Sequence, residues 1–277
     1  MTTLNNMNNA MAAKMTVMSF NTMCDFCGND SFDPFDQRKN YISKTIQKYS
    51  PDLISLQEIR LGSQVNEVIK MNPSYKAIFS DSALMSYADP ALIINLKRFE
   101  VLEEGQFWFG PKDGEFSLGW KTALPRQAHW VKLKDLKTNQ IYTFLGAHFD
   151  NRVENMIGSA VMVNEFTKAQ KNPVIFAGDT NCTSDFEGYQ LLTGNELINT
   201  FDIKKNFNIS GKKTSDSDLC YHRKGDSFPE CLVDHILLSN DARWEVSDWT
   251  IDINKFGANN TYASDHRAVI STIELKK

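Results

Sequence analysis

Six short polar motifs stand at the ends of apolar runs in this 277-residue chain. MTVMSF runs into Asn21, DLISLQ into Glu58, and IYTFLGA into His148 and then Asp150. PVIFAG runs into Asp179-x-Asn181, LVDHILL carries Asp234 near its start, and Ser264-Asp265-His266 precedes the last apolar run. A polar residue at a strand end is ordinary in loops, so any one of these alone reads as structural. Together they supply carboxylates, amides and histidines. Those are the ingredients of a hard-metal hydrolytic centre: oxygen ligands for Mg²⁺, an imidazole for proton transfer, amides for an oxyanion.

The elements that must position these residues are legible from periodicity. Runs rich in β-branched and aromatic residues at 15–20, 52–57, 91–94, 128–133, 141–147, 173–178, 232–238 and 268–274 predict strands. Spacings of three and four predict helices at 36–49 (Ile42, Ile46, Tyr49, with Asp36 capping the start), 62–71 (Val65, Val68, Ile69) and 152–168 (Val153, Met156, Ile157, Ala160, Val161). Strands outnumber helices, which favours packed sheets with helices outside over a fully alternating parallel fold. No repeat, linker or composition shift marks a boundary. The chain is read as a lead-in at 1–14 followed by a single domain at 15–277.

In type and order, Asn21, Gln57-Glu58, His148, Gly178-Asp179-x-Asn181, Asp234-His235 and Ser264-Asp265-His266 resemble the endonuclease/exonuclease/phosphatase superfamily. Phe107-Trp108, Gly119-Trp120, Leu124-Pro125-Arg126 and Trp130 are similar to a bacterial branch of it. The resemblance implies a four-layer αββα sandwich, two mixed β-sheets face to face with helices outside. It implies Mg²⁺, or Mn²⁺ in its place, held by Glu58 with Asn21 and Asp265. It implies that Asp179 and Asn181 position the attacking water and that His266, oriented by Asp234, contacts the phosphate and takes part in proton transfer. His148 would donate to a phosphate oxygen, and Arg126 and Asp150 would meet the substrate. The physical logic agrees: a phosphoester anion repels hydroxide, so charge must be neutralised before attack, and a carboxylate-held cation does that.

Departures from the family pattern fall beside the ligands. Ala147 and Phe149 flank His148, and Thr180 stands where the family has Phe, sparing the polar atoms. At Asp89-Pro90-Ala91-Leu92-Ile93-Ile94-Asn95 the branch carries a glutamate before the run and a tyrosine at its end. Asp89 would replace the glutamate from behind the ligands with a shorter reach, whereas Asn95 would not replace a phenol. The substrate pocket is therefore expected to have diverged. Trp108 and Trp120 read as core first and as stacking surfaces second. His129 and His222 read as structural or surface residues, and His235 as packed.

Composition narrows the substrate. Net charge is −4 and pI is about 5.8; short basic clusters occur, such as Lys204-Lys205, Lys212-Lys213 and Arg223-Lys224, but no long basic stripe. Sequence-blind binding to a nucleic-acid backbone leaves a stronger electrostatic footprint. The expected substrate is a non-polymeric phosphoester, a small molecule or lipid headgroup, with DNA or RNA as the alternative. A catalytically silent binding module on the same scaffold is the competing class, disfavoured because every ligand is present. Cysteines 24, 27, 182, 220 and 231 are too few for a disulfide scaffold and read as free thiols, with thiol redox chemistry or zinc at Cys24-x-x-Cys27 the least favoured function. No apolar run approaches the roughly 20 residues that cross a bilayer. The N-terminal stretch does not read as a signal peptide, so the expected location is the cytoplasm. No protein partner can be inferred.

Overall fold

The computed structural model describes residues 14–27, 32–82, 85–86, 88–112, 115–205 and 232–276. Cys220, Cys231, His222 and the basic clusters at 212–213 and 223–224 lie outside the described residues, as does most of the lead-in. Two six-stranded mixed sheets pack face to face. Strands are numbered along the chain. The first sheet runs β13 (Trp244–Ile251), β14 (Val269–Leu275), β1 (Met15–Asn21), β2 (Leu53–Gln57), β6 (Ala91–Asn95), β3 (Tyr75–Ile78). The second runs β11 (Leu197–Asn199), β12 (Asp234–Ser239), β10 (Val174–Asp179), β9 (Ile141–His148), β8 (Gln127–Asp135), β7 (Phe99–Trp108). A small ladder pairs β4 (Asp81–Ser82) with β5 (Met85–Ser86).

Each large sheet has one parallel pair at its centre, β1 with β2 and β9 with β10. A parallel pair needs a crossover, and a helix supplies it each time: α1 (Phe35–Tyr49) in the first sheet and α3 (Val153–Ala169) in the second. With α2 (Gly62–Ile69), α1 covers the outer face of the first sheet through Ile42, Ile46, Val65 and Val68 against Met18, Phe20, Ile54 and Ile93. With α4 (Glu187–Thr193), α3 covers the second through Ala160, Val163 and Leu192 against Leu145, Phe176 and Leu237. A final short helix, α5 (Thr200–Lys205), follows β11. The layers are thus α, β, β, α, as the sequence predicts. Each fully buried Leu, Ile or Phe in them contributes about 1.5–3 kcal/mol of transfer free energy.

The eight strands legible in the sequence are the eight interior ones, and the four missed in the large sheets, β3, β7, β11 and β13, are all edges. Asp36 does not cap α1: the N-cap is Pro34, and Asp36 sits inside the first turn, ion-paired to Lys39 at 3.0 Å. Among the described residues no helix is long and apolar enough to cross a membrane.

Candidate active site

Strand parity builds the site. Alternate residues of a strand share a face. On the faces that meet between the sheets the sequence turns from apolar to polar toward one end. Along β1 the inward residues are Met15, Val17, Ser19 and Asn21; along β9 they are Tyr142, Phe144, Gly146 and His148; along β10, Ile175, Ala177 and Asp179. The antiparallel β12 enters from the other direction with Asp234, then Ile236 and Leu238. The pairings Asp179 with His148 and Asp179 with Asp234 put these polar termini side by side. Asn21 and Glu58 come from the same end of the facing sheet. Gly146 lets the sheets close, because a Cβ there would meet Leu92 at 2.4 Å and the Ser55 hydroxyl at 2.6 Å.

Asp179 is the centre. Its Oδ2 accepts a hydrogen bond from Asn21 Nδ2 at 2.9 Å and lies 3.7 Å from both His148 Nε2 and His266 Nε2. Its Oδ1 accepts the Asn181 N–H at 2.8 Å. Each imidazole is backed on its other nitrogen by a buried carboxylate: His148 Nδ1 by Asp89 Oδ2 at 2.7 Å, and His266 Nδ1 by Asp234 Oδ2 at 2.7 Å. Two carboxylate-oriented imidazoles therefore present Nε2 to one point, the tautomer and ring angle of each fixed from behind. Arg126 is no surface ion pair. Only 14% exposed, it reaches Asp150 at 3.4 Å and Asp89 at 3.6 Å, and its Nη1 lies 3.0 Å from His148 Nδ1.

Burial opposes charge on every member of this group, and the ion pairs outweigh it at all but Asp234. Against burial, Asp234 and Asp179 hold His266 well above its ordinary value. Burial lifts the Asp234 carboxyl to about 6, His266 opposing, so at neutral pH the pair is carboxylate and imidazolium. Burial and the Arg126 charge press His148 down, but Asp89 and Asp179 leave it raised. Burial raises Asp89 and Asp179 too; His148 overcomes it at Asp89, and His266 with His148 at Asp179, so both carboxyls end low. Such opposed shifts concentrated in one cluster are characteristic of working sites.

The frame behind these residues was partly unforeseen. Arg38, 1% exposed, donates to the carbonyls of Thr22 (2.6 Å), Met23 (3.0 Å), Cys24 (3.1 Å), Asp33 (3.0 Å) and Ala263 (3.1 Å). It ties the turn after β1 to the loop that carries Asp265 and His266. The sequence held a signal: Arg38 precedes Ile42 and Ile46 at spacings of four, on the apolar stripe of α1. Ser264 closes the same seam, donating to the Asn21 carbonyl at 2.7 Å and accepting the His266 N–H at 3.1 Å. Met23, Glu58 and Asn181 all adopt left-handed φ values, 54°, 58° and 51°. Non-glycine residues held there cost of order 1–3 kcal/mol each, and three of them meet at this one end of the sandwich.

A hard cation suits the donors present. Glu58 and Asp265 offer carboxylate oxygens, and Arg38, whose charge both carboxylates favour, lies behind them. Glu58 is fixed at both oxygens, Oε1 by Asn21 Nδ2 at 3.0 Å and Oε2 by the Cys24 N–H at 2.9 Å. Asn21 Oδ1 accepts the Met23 N–H at 3.0 Å, so Asn21 would offer oxygen to a cation only with its amide turned over. Donor atoms of Asp179, Asp234 and His266 also lie within 4.8 Å of one another.

Other expectations resolve individually. Asp89 spans its shorter reach, taking the Glu58 backbone N–H as well as His148. Asn95 lies at the far end of β6, beside Tyr75, so its failure to supply a phenol does not touch this site. Trp120 packs on α3, where a Cβ at Gly158 would come within 2.2 Å of its ring, and Trp108 meets Phe116 edge-on at 5.0 Å. His235 is packed, its Nε2 donating to the Cys182 carbonyl at 2.9 Å while Nδ1 accepts from Asn199 at 3.1 Å. His129 is buried between the sheets; burial brings both His129 and His235 down to about 4. The free-thiol reading fails for one pair: Cys24 and Cys27 form a disulfide, while Cys182 is a buried thiol outside it. The turn after β1, closed on itself by the Cys27 N–H to Cys24 carbonyl bond at 3.3 Å, brings that pair together.

Comparison with known proteins finds the same fold in solved structures. An endonuclease/exonuclease/phosphatase family protein from Bacteroides thetaiotaomicron superimposes with a TM-score of 0.78 at 21% identity, covering 96% of this chain and 99% of that one. A mannosyl-6-phosphatase from the same organism gives 0.78 at 21% identity over 94% and 99%. TDP2 from D. rerio, complexed with a single-strand DNA product, gives 0.72 at 18% identity over 95% and 99%. Comparison with curated proteins finds no match. The profile of the Endonuclease/Exonuclease/phosphatase family matches residues 18–266, from β1 through His266, and the chain therefore belongs to that family of phosphoric ester hydrolases.

Proposed function

We propose that this protein is a Mg²⁺-dependent hydrolase of non-polymeric phosphoesters, and that its reaction centre is Asp179 with His148 and His266. The observation that carries the reading is the convergence of two imidazole Nε2 atoms, each backed by a carboxylate at 2.7 Å, on one Asp179 oxygen at 3.7 Å. Held by Glu58 and Asp265, with Asn21 beside them, Mg²⁺ would neutralise phosphoryl charge and polarise the P–O bond.

The chain's own groups do the rest. Asp179 is kept anionic, so it accepts a hydrogen bond from the attacking water, aligns it and takes its proton as the new P–O bond forms, while the bond to the leaving oxygen breaks and that oxygen is protonated from solvent. Asn181, whose Nδ2 is anchored on the Phe149 carbonyl at 2.9 Å, fixes the backbone that grips Asp179. His266, held as imidazolium by Asp234, donates from Nε2 to an equatorial phosphoryl oxygen as charge builds there. His148 does the same from the opposite side, backed by Asp89. One such donor is worth on the order of 10²–10³ in rate. Arg126, braced by Asp150, supplies a guanidinium at the edge of this pair and would contact the substrate anion.

The non-polymeric substrate rests on the acidic balance, net −4, with no extended basic stripe. The fold itself is silent on this, since similar structures include both a sugar phosphatase and a protein bound to DNA. The test is product release from single-stranded DNA, RNA, nucleotides, sugar phosphates, phospholipid headgroups and a chromogenic phosphodiester, with Mg²⁺, Mn²⁺ or chelator. Metal-dependent turnover of a small phosphoester above the polymers supports the reading. Preference for DNA or RNA would replace it with a nuclease, and metal binding without turnover on any substrate would favour a silent module.

A further inference from the structure

The turn after β1 places two sulfur atoms beside a carboxylate assigned to the cation. Cys24 is 7% exposed and Cys27 is exposed, and their disulfide closes the turn with Cα atoms 5.1 Å apart. Both sulfurs and a Glu58 carboxylate oxygen lie within 4.8 Å of one another. The turn is held independently of the disulfide. Arg38 binds the carbonyls of Thr22, Met23 and Cys24, and the Cys24 N–H is anchored on Glu58 Oε2. Opening the S–S bond therefore leaves Cys24 in place and frees Cys27, on the solvent side, to move. Asp25, between them, does not compete: Arg60 at 3.0 Å and Gln64 at 2.9 Å occupy its carboxylate.

We propose that reduction of Cys24–Cys27 turns this corner into a site for a thiophilic divalent cation, Zn²⁺, with Cys24, Cys27 and Glu58 as protein ligands and water as the fourth. Tetrahedral zinc with Zn–S near 2.3 Å and Zn–O near 2.0 Å needs ligand atoms roughly 3.4–3.8 Å apart; the sulfurs must part from bonding distance to reach it, and the Glu58 oxygen already lies within 4.8 Å of both. The reductant is a dithiol. It delivers two electrons and two protons to the disulfide, giving two thiols, and leaves as its own disulfide. Zinc binding then forms two Zn–S bonds and releases the two thiol protons to solvent. The oxidised corner has no thiolate to offer and leaves Glu58 to a hard cation; the reduced, zinc-loaded corner takes Glu58 away from it. The redox state of one exposed disulfide would thus decide which class of cation the carboxylate serves.

The site stands on its own geometry, and only the inhibitory consequence rests on the proposed role of Glu58. The experiment uses the full chain, reduced with a phosphine and desalted under argon, beside untreated protein, with Co²⁺ as the probe. The expected result is a near-ultraviolet thiolate-to-cobalt charge-transfer band in the reduced protein only, saturating at one equivalent and displaced by Zn²⁺. It is lost in Cys27→Ser, and Glu58→Gln weakens cobalt binding about tenfold or more. No band in reduced protein, or an undiminished band in Cys24→Ser/Cys27→Ser, overturns the site by placing thiolate ligation elsewhere or nowhere. In a parallel assay with saturating Mg²⁺, Zn²⁺ should inhibit the reduced form more strongly than the oxidised. A band with equal inhibition of both forms would support the site and overturn instead the catalytic role of Glu58.

Discussion

Replacing Asp234 by Asn separates charge from shape at the centre of the site. Asp234 Oδ2 and His266 Nδ1 are 2.7 Å apart, both buried, and the amide oxygen can still accept that bond. What is lost is the charge. A bond to a charged group contributes about 1.5–3 kcal/mol against about 1 for a neutral one. The difference, about 0.5–2 kcal/mol, has a midpoint close to tenfold in rate at 1.36 kcal/mol per decade. The loss should also depend on pH. Asp234 is the foremost charge lifting His266 against burial, so in Asp234→Asn the imidazolium gives up its proton at lower pH. The alkaline limb of the rate profile then moves toward acid. Near pH 6 the variant should be about tenfold slow; above neutrality, where its imidazole is uncharged, the loss should grow toward the 10²–10³ of a missing oxyanion donor. Metal-dependent hydrolysis of a chromogenic phosphodiester across pH, with far-ultraviolet circular dichroism as the folding control, measures this. A profile parallel to wild type, or less than a twofold loss throughout, would refute the argued role of the pair.

Three further outcomes follow from the structure. Glu58→Gln should remove most of the thermal stabilisation that Mg²⁺ gives, about 2.7 kcal/mol at a hundredfold excess over Kd for the wild type; an unchanged shift in a melting titration would take Glu58 out of the metal site. Arg38→Met strips the donors from five backbone carbonyls in the buried seam and should cost about 3–5 kcal/mol in urea unfolding, and Lys at the same position should rescue little because it lacks the planar fork. His129 and His235, near 4 folded against about 6.5 unfolded, bind fewer protons folded than unfolded in that window. Their contribution is complete above about pH 6.5 and is lost as pH falls toward 4, at most about 3 kcal/mol each; equilibrium unfolding of His129→Gln should show a flatter acid limb, and an unaltered slope would contradict a buried neutral ring.

What the sequence disclosed depended on where each element sits. Interior strands have both faces covered and read as apolar runs, which is why MTVMSF, IYTFLGA and PVIFAG were legible. Edge strands must discourage further pairing and tolerate charge on their open side. β7 (FEVLEEGQFW) carries Glu100, Glu103 and Glu104, and its partner β8 answers with Lys132, ion-paired to Glu103 at 2.7 Å; no apolar periodicity survives such a strand. The polar cluster was legible because strand ends of one sheet face strand ends of the other. The depth of support behind it was not. Arg38 shows by its place on the apolar stripe of α1 only that it faces inward; its five carbonyl partners, from as far along the chain as Ala263, appear only when the fold assembles them around it. Asp89 likewise becomes the partner of His148 only through a contact 59 residues away. The cysteine pair misled because spacing alone does not distinguish free thiols from a bridged turn.

The most direct measurement is hydrolysis of the preferred small phosphoester in oxygen-18 water, followed by phosphorus NMR, with Mg²⁺ and with chelator. Attack on phosphorus by a water aligned at Asp179 predicts oxygen-18 in the phosphoryl product, turnover only with the cation, and neither in Glu58→Gln or His266→Ala. Turnover that persists in chelator, or label appearing in the alcohol instead of the phosphate, would contradict the account.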